Sequence, residues 1–125
     1  MKKILLLFLL LISNFAHSQS YLRAYNFTFG YKDEKTTEIV WNGKPKECNI
    51  LIRIEGNDVI IYSKEIQNFH MISKVDSTKN SFMYRMVDAK GIVCNLYIGK
   101  FNDGGMFVSV EYSDISLLYF VEPEK

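Results

Sequence analysis

Hydrophobic and polar positions alternate in short runs along most of the chain, and turn signals separate the runs roughly every ten residues. That is the pattern of an all-β sandwich or barrel. Tyr21, Tyr25, Phe27, Phe29 and Tyr31 share one parity, which predicts a first strand with one buried face. The run 36–41 is rich in β-branched residues and ends at Trp41. Cys48, Ile50, Ile52 and Ile54 then oppose Glu47, Asn49, Arg53 and Glu55. Further strands are predicted over 59–63, 69–73, 81–87, 92–98, 106–112 and 117–121. Their inward positions include Phe82 and Tyr84, Cys94 and Leu96, and Val108 and Val110.

The separators are turn formers. Asn42-Gly43, Gly56-Asn57-Asp58, Asp88-Ala89-Lys90-Gly91 and Asn102-Asp103-Gly104-Gly105 each place Gly or Asn where the backbone must reverse. Tight turns imply antiparallel neighbours, so the expected fold is all-β, an antiparallel meander of eight or nine strands. A closed up-and-down barrel, lipocalin-like in layout, is preferred because closure removes exposed sheet edges. A two-sheet sandwich is the alternative.

The first residues depart from this pattern. Met1-Lys2-Lys3 is followed by an apolar run from Ile4 to Ile12, then by Ala16-His17-Ser18. This is the layout of a cleaved signal peptide over 1–18, which leaves one domain over 19–125 beginning at Gln19. The apolar run is shorter than the roughly 20 residues that a membrane span needs. Periplasmic or extracellular location is therefore expected, with no membrane span in the mature form. The signal also changes the charge reading. The whole chain carries 15 basic and 14 acidic residues, and the domain after residue 18 carries 13 and 14. A balance so close to zero gives no support for nucleic acid as a partner. Sixteen aromatic residues remain after the signal, far more than an unfolded chain of this length carries.

The candidate chemistry is sparse. Cys48 and Cys94 both fall on inward faces, and an exported chain with two cysteines permits one disulfide. In a round barrel their strands stand on opposite walls, so the bond and the barrel compete. The alternative is two buried thiols acting as small apolar residues. His70 is the one histidine after the signal; flanked by apolar residues, it reads as partly buried and bonded to backbone. No zinc spacing, nucleophile elbow or phosphate-binding glycine loop occurs, so no metal, cofactor or catalytic residue is assigned. The acids Asp58, Asp76, Asp88 and Asp103 read as turn residues.

The run Asn-Ile-Leu-Ile-Arg-Ile-Glu-Gly-Asn-Asp-Val-Ile-Ile-Tyr-Ser from Asn49, together with Asp88 to Cys94 and Val110 to Asp114, resembles small exported β-proteins of Gram-negative bacteria that carry no assigned function. The resemblance implies a compact β-domain and brings no activity or site residues with it.

Two functions are expected of such a domain, neither of them enzymatic. The first is a protein-interaction or inhibitor-type module whose contact surface is Tyr21, Tyr25, Phe27, Phe29, Tyr31 and Trp41. The second is a barrel for a small apolar ligand, with an internal pocket lined by Ile50, Ile52, Phe82, Tyr84, Leu96, Val108 and Val110.

Overall fold

The structure, a computed structural model, describes residues 19–36 and 38–124. The expected signal segment lies outside the described residues. Nine strands form: β1 (Gln19–Lys32), β2 (Ile39–Trp41), β3 (Lys46–Glu55), β4 (Asp58–Tyr62), β5 (Ile66–Ser77), β6 (Ser81–Asp88), β7 (Val93–Lys100), β8 (Met106–Glu111) and β9 (Ile115–Pro123). All pairings are antiparallel, and β9 returns to pair with β1. Eight strands thus close an up-and-down barrel, and β2 stands outside the ring on the C-terminal end of β1. The barrel, rather than the sandwich, is the fold.

β1 makes the closure possible because it is long enough to be shared. Its first part pairs with β3 from Gln19↔Glu55 to Phe27↔Lys46, and its other edge pairs with β9 from Leu22↔Pro123 to Tyr31↔Ile115. Both registers slip between Ala24 and Asn26: against β9 Tyr25 is an extra, bulged residue, whereas on the other edge two β3 residues, Cys48 and Asn49, stand opposite it. The bulge reverses the parity of everything after it. Leu22 and Ala24 point into the barrel, and beyond the bulge Phe27 packs against the same core. The five aromatics that share one parity in the sequence are therefore divided: Tyr21 and Tyr25 face solvent, whereas Phe27 and Phe29 lie half-buried on the inner wall.

The interior is filled by the residues that alternation assigns to it. Ile52, Leu96, Val108 and Val110 are at 0% exposure and Tyr84 at 4%. An eight-stranded barrel is just wide enough for its own side chains, and here those side chains occupy it. The other two residues expected to line an internal pocket, Ile50 and Phe82, are partly buried against the same core.

A second apolar layer lies outside the barrel. Phe107 and Phe120 are opposite each other on β8 and β9, and Phe101 from the β7–β8 turn folds over them with ring centroids 4.8 and 5.5 Å away. Gly99 makes the space. A Cβ at this position would stand 2.8 Å from the Phe107 ring and 2.8 Å from the Asn80 carbonyl oxygen. Gly30 does the same for β2, whose Ile39 and Trp41 side chains crowd the position of its missing Cβ.

Because one of the atoms facing Gly99 is backbone, relief by a side-chain rotation is incomplete. Gly99→Ala is expected to cost about 1–3 kcal/mol, read by urea denaturation, and an unchanged midpoint would show that the outer aromatic layer does not need this contact.

Candidate functional site at one mouth of the barrel

Three hairpins meet at the end of the barrel where β1 finishes: β4–β5, β6–β7 and β8–β9. Between them opens a cleft of about 570 Å³, a volume in the usual range for small-molecule sites. Its apolar wall comes from Ile66, Phe69, Ile92 and Ile115, and its polar groups from Gln67, Asp88 and Tyr112.

The floor is a hydrogen bond that crosses the lumen. β5 and β9 stand opposite each other in the ring. Gln67 on β5 points inward, opposite the buried Ile61, and its Nε2 donates to the Tyr119 hydroxyl on β9 at 3.2 Å. The same nitrogen donates to Ser63 Oγ at 3.0 Å. Tyr119 is 1% exposed, and burial pushes its hydroxyl pKa up, so the phenol stays neutral. Phe27 packs on the Tyr119 ring at 5.0 Å, and Phe29 and Tyr31 continue this column up the β1 wall towards the mouth.

The wall opposite the column is built by Asp88. It ends β6 and caps its own turn: Oδ1 accepts the backbone N–H groups of Lys90 and Ile92, both at 2.9 Å. Gly91, at φ 83°, lets the chain reverse within that turn. Oδ2 accepts the Tyr112 hydroxyl at 3.0 Å, which ties the β6–β7 hairpin to the β8–β9 hairpin. The Ile92 N–H, with help from Tyr112 and Lys90, holds the Asp88 carboxyl below its ordinary pKa. Burial and the carboxylate together push the Tyr112 phenol far above its ordinary value. Asp88 is therefore the anion and Tyr112 the proton donor in this pair.

Cys94 lies at the same end and is buried. Burial first, and then the Asp88 charge, push its thiol up to about 11. Cys48, half-buried, hydrogen-bonds the Ala24 carbonyl at 3.6 Å, and burial raises its pKa too. Both cysteines are free. Their strands, β3 and β7, face each other across the barrel, so the disulfide that the sequence permits is not formed and the thiols pack as small apolar groups.

The sequence-expected residues fall elsewhere. His70 is on the outer wall, exposed, with Nδ1 2.7 Å from Asp58 Oδ1; it is neither half-buried nor backbone-bonded as its neighbours suggested. Trp41 sits on β2 at 42% exposure, and Tyr31 stands at the mouth at 56%. From Tyr21 to Tyr31 the strand rises about 33 Å, so the exposed members of the aromatic group do not form a single patch. Among the described residues, no three His, Cys or acidic side chains gather as a metal set, and no helix is long and apolar enough to cross a membrane. Gln67, Asp88 and Tyr112 were not assigned to a site from sequence. The available signal was polar residues on inward parity at strand ends: Tyr112 continues the series Met106, Val108, Val110, and Asp88 follows Met86.

Comparison of the chain with protein-family models, curated proteins and solved structures finds no match.

Two solution measurements follow from this geometry. The lowered Asp88 pKa stabilises the fold above about pH 4, the unfolded carboxylate value, and that contribution is lost as pH falls through the folded value. Asp88→Asn is expected to flatten the acid limb of the stability–pH profile followed by circular dichroism; an unaltered limb would disconnect Asp88 from acid stability. A thiol held near 11 is almost wholly protonated at pH 8. Cys94 is expected to alkylate with iodoacetamide on the order of 100-fold more slowly in the native than in the unfolded protein, and equal rates would contradict its burial.

Proposed function

We propose that this is an exported, non-enzymatic binding domain whose working site is the open mouth, and that the ligand is a small, mostly apolar molecule. The observation that carries this reading is the position of the free volume. The lumen is filled with side chains, whereas the mouth holds about 570 Å³ between apolar walls and a few fixed polar groups. The ligand therefore sits in the end of the barrel, above the Gln67–Tyr119 bridge, rather than at its centre. The polar groups argue against catalysis: the thiol is held protonated, the phenol proton is committed to Asp88, and the histidine is on the outer wall.

Octan-1-ol, titrated into isotopically labelled protein, is expected to move the amide resonances of Ile66, Phe69, Ile92 and Ile115 together. Shifts spread over the outer wall, or none up to millimolar alcohol, would overturn the reading. The exported state predicts a mature N-terminus at Gln19, which mass spectrometry of the protein from its own cell envelope checks.

A second reading, a protein contact, is favoured by one group on the outer wall. Arg53 lies between Tyr21 and Tyr62, hydrogen-bonds Tyr62 and pairs with Glu55, and both tyrosines are more than one-third exposed. Tyrosine with arginine is the composition of interface hot spots. Capture of a partner by the native protein, lost in Tyr62→Ala with the mouth unaltered, would support this reading over the first.

A further inference from the structure

We propose, resting on the reading of the mouth as a ligand site, that its ligand is an organic cation: a protonated amine carried on an apolar body. The argument is an inventory of donors and acceptors facing the cleft. Tyr112 donates its one proton to Asp88, so its oxygen can only accept, and the Cys94 thiol is also in hydrogen-bonding reach of it. Both donor bonds made by the Gln67 amide nitrogen go to Ser63 and Tyr119, leaving its carbonyl oxygen as the acceptor. Ser63 in turn donates to the Glu65 carbonyl oxygen at 2.6 Å. Asp88 Oδ1 takes two backbone N–H groups and Oδ2 takes one hydroxyl, which leaves lone-pair capacity on Oδ2. The hydrogen-bonded groups Tyr112, Gln67 and Asp88 thus turn acceptors to the cleft, while its side-chain donors, the Asn68 amide and the Lys64 and Lys90 ammoniums, sit on exposed residues. A ligand head must supply N–H or O–H donors to match them.

Charge then selects among donors. The charged lining comprises Lys64 and Lys90 against Glu65, Asp88 and Asp114. Four of these are exposed at the rim, where water screens them, and Asp88 is the one partly buried. The least exposed charge of the cleft is therefore the Asp88 carboxylate, on which the nearby Lys90 also acts. An ammonium brings three donors and a compensating charge, whereas a carboxylate or phosphate head would bring acceptors against acceptors. Ile66, Phe69, Ile92 and Ile115 accommodate the apolar body.

The test compares three probes of one length: octylammonium, octan-1-ol and octanoate, each titrated by calorimetry and by amide shifts at low ionic strength. Octylammonium is expected to bind at least tenfold more tightly than octan-1-ol, with octanoate weakest. Asp88→Asn is expected to abolish the preference, so that octylammonium and octan-1-ol bind within about twofold of each other. Since Asp88 also caps its turn, a second variant guards the test: Ile66→Arg, at an exposed position on the wall, is expected to weaken octylammonium at least tenfold more than it weakens octan-1-ol. Equal affinity for the ammonium and the alcohol, or a preference for octanoate, would overturn the cation assignment and leave the mouth as an apolar site. Failure of all three probes to bind would overturn both.

Discussion

The structure depends on one strand being paired along both edges. β1 is 14 residues long, and neither β3 nor β9 could close the ring without it. The length creates a geometric problem, since a strand of that extent must coil around a narrow barrel. The bulge at Tyr25 solves it by bending and twisting the strand locally. Closure then dictates the rest. Eight strands define a lumen that side chains alone can fill, and the buried residues of the other seven ring strands, mostly Ile, Leu and Val, line it. With the lumen lined by packed side chains, the larger cleft lies at an end and a smaller one, of about 290 Å³, on the outer wall beside His70.

Which end is open follows from how the hairpins finish. At the far end the β7–β8 turn folds Phe101 back onto Phe107 and Phe120, and β5 and β6 run on as a two-stranded extension past β4. At the mouth, the hairpins stand upright. Asp88 makes the β6–β7 turn rigid through its own backbone bonds and couples it to the next hairpin through Tyr112. Below them, the Gln67–Tyr119 bridge joins opposite walls of the lumen. The polar groups that bound the cleft are thus each held in place by a hydrogen bond within the protein. That arrangement favours binding without rearrangement, because the groups that would meet a ligand are held in place before it arrives.

Much of the fold was legible in the sequence because strand alternation reports burial directly. Every β-run from 21 to 121 became a strand, and Ile52, Ile54, Leu96, Ile98, Val108 and Val110 face the core as their parity requires. What alternation could not report was a change of parity within a strand. Tyr21 to Tyr31 read as one face because nothing local marks Tyr25 as a bulge; only the register with β9 places it there. β5 shows the same limit. Bulges lie between Met71 and Ser73 and between Lys74 and Asp76, so a stretch that looked strand-like only over 69–73 runs from Ile66 to Ser77. The site was legible least of all. Gln67 sat in an ambiguous polar stretch, and Asp88 looked like any turn aspartate, which locally it is. Its second oxygen acquires a role only when closure brings the β8–β9 hairpin beside it.

The two cysteines show how one constraint decides between chemistries. In a flattened sandwich, facing strands could have joined Cys48 to Cys94. In the closed ring, β3 and β7 are as far apart as two strands can be, and each thiol is left among apolar neighbours with a raised pKa. Asp88 adds to this at Cys94, since a nearby negative charge disfavours a thiolate just as it would favour a bound cation. Under the proposed cation reading, the carboxylate that disfavours the Cys94 thiolate is the same group that a positively charged guest would meet, so one charge would govern both the thiol and the choice of ligand.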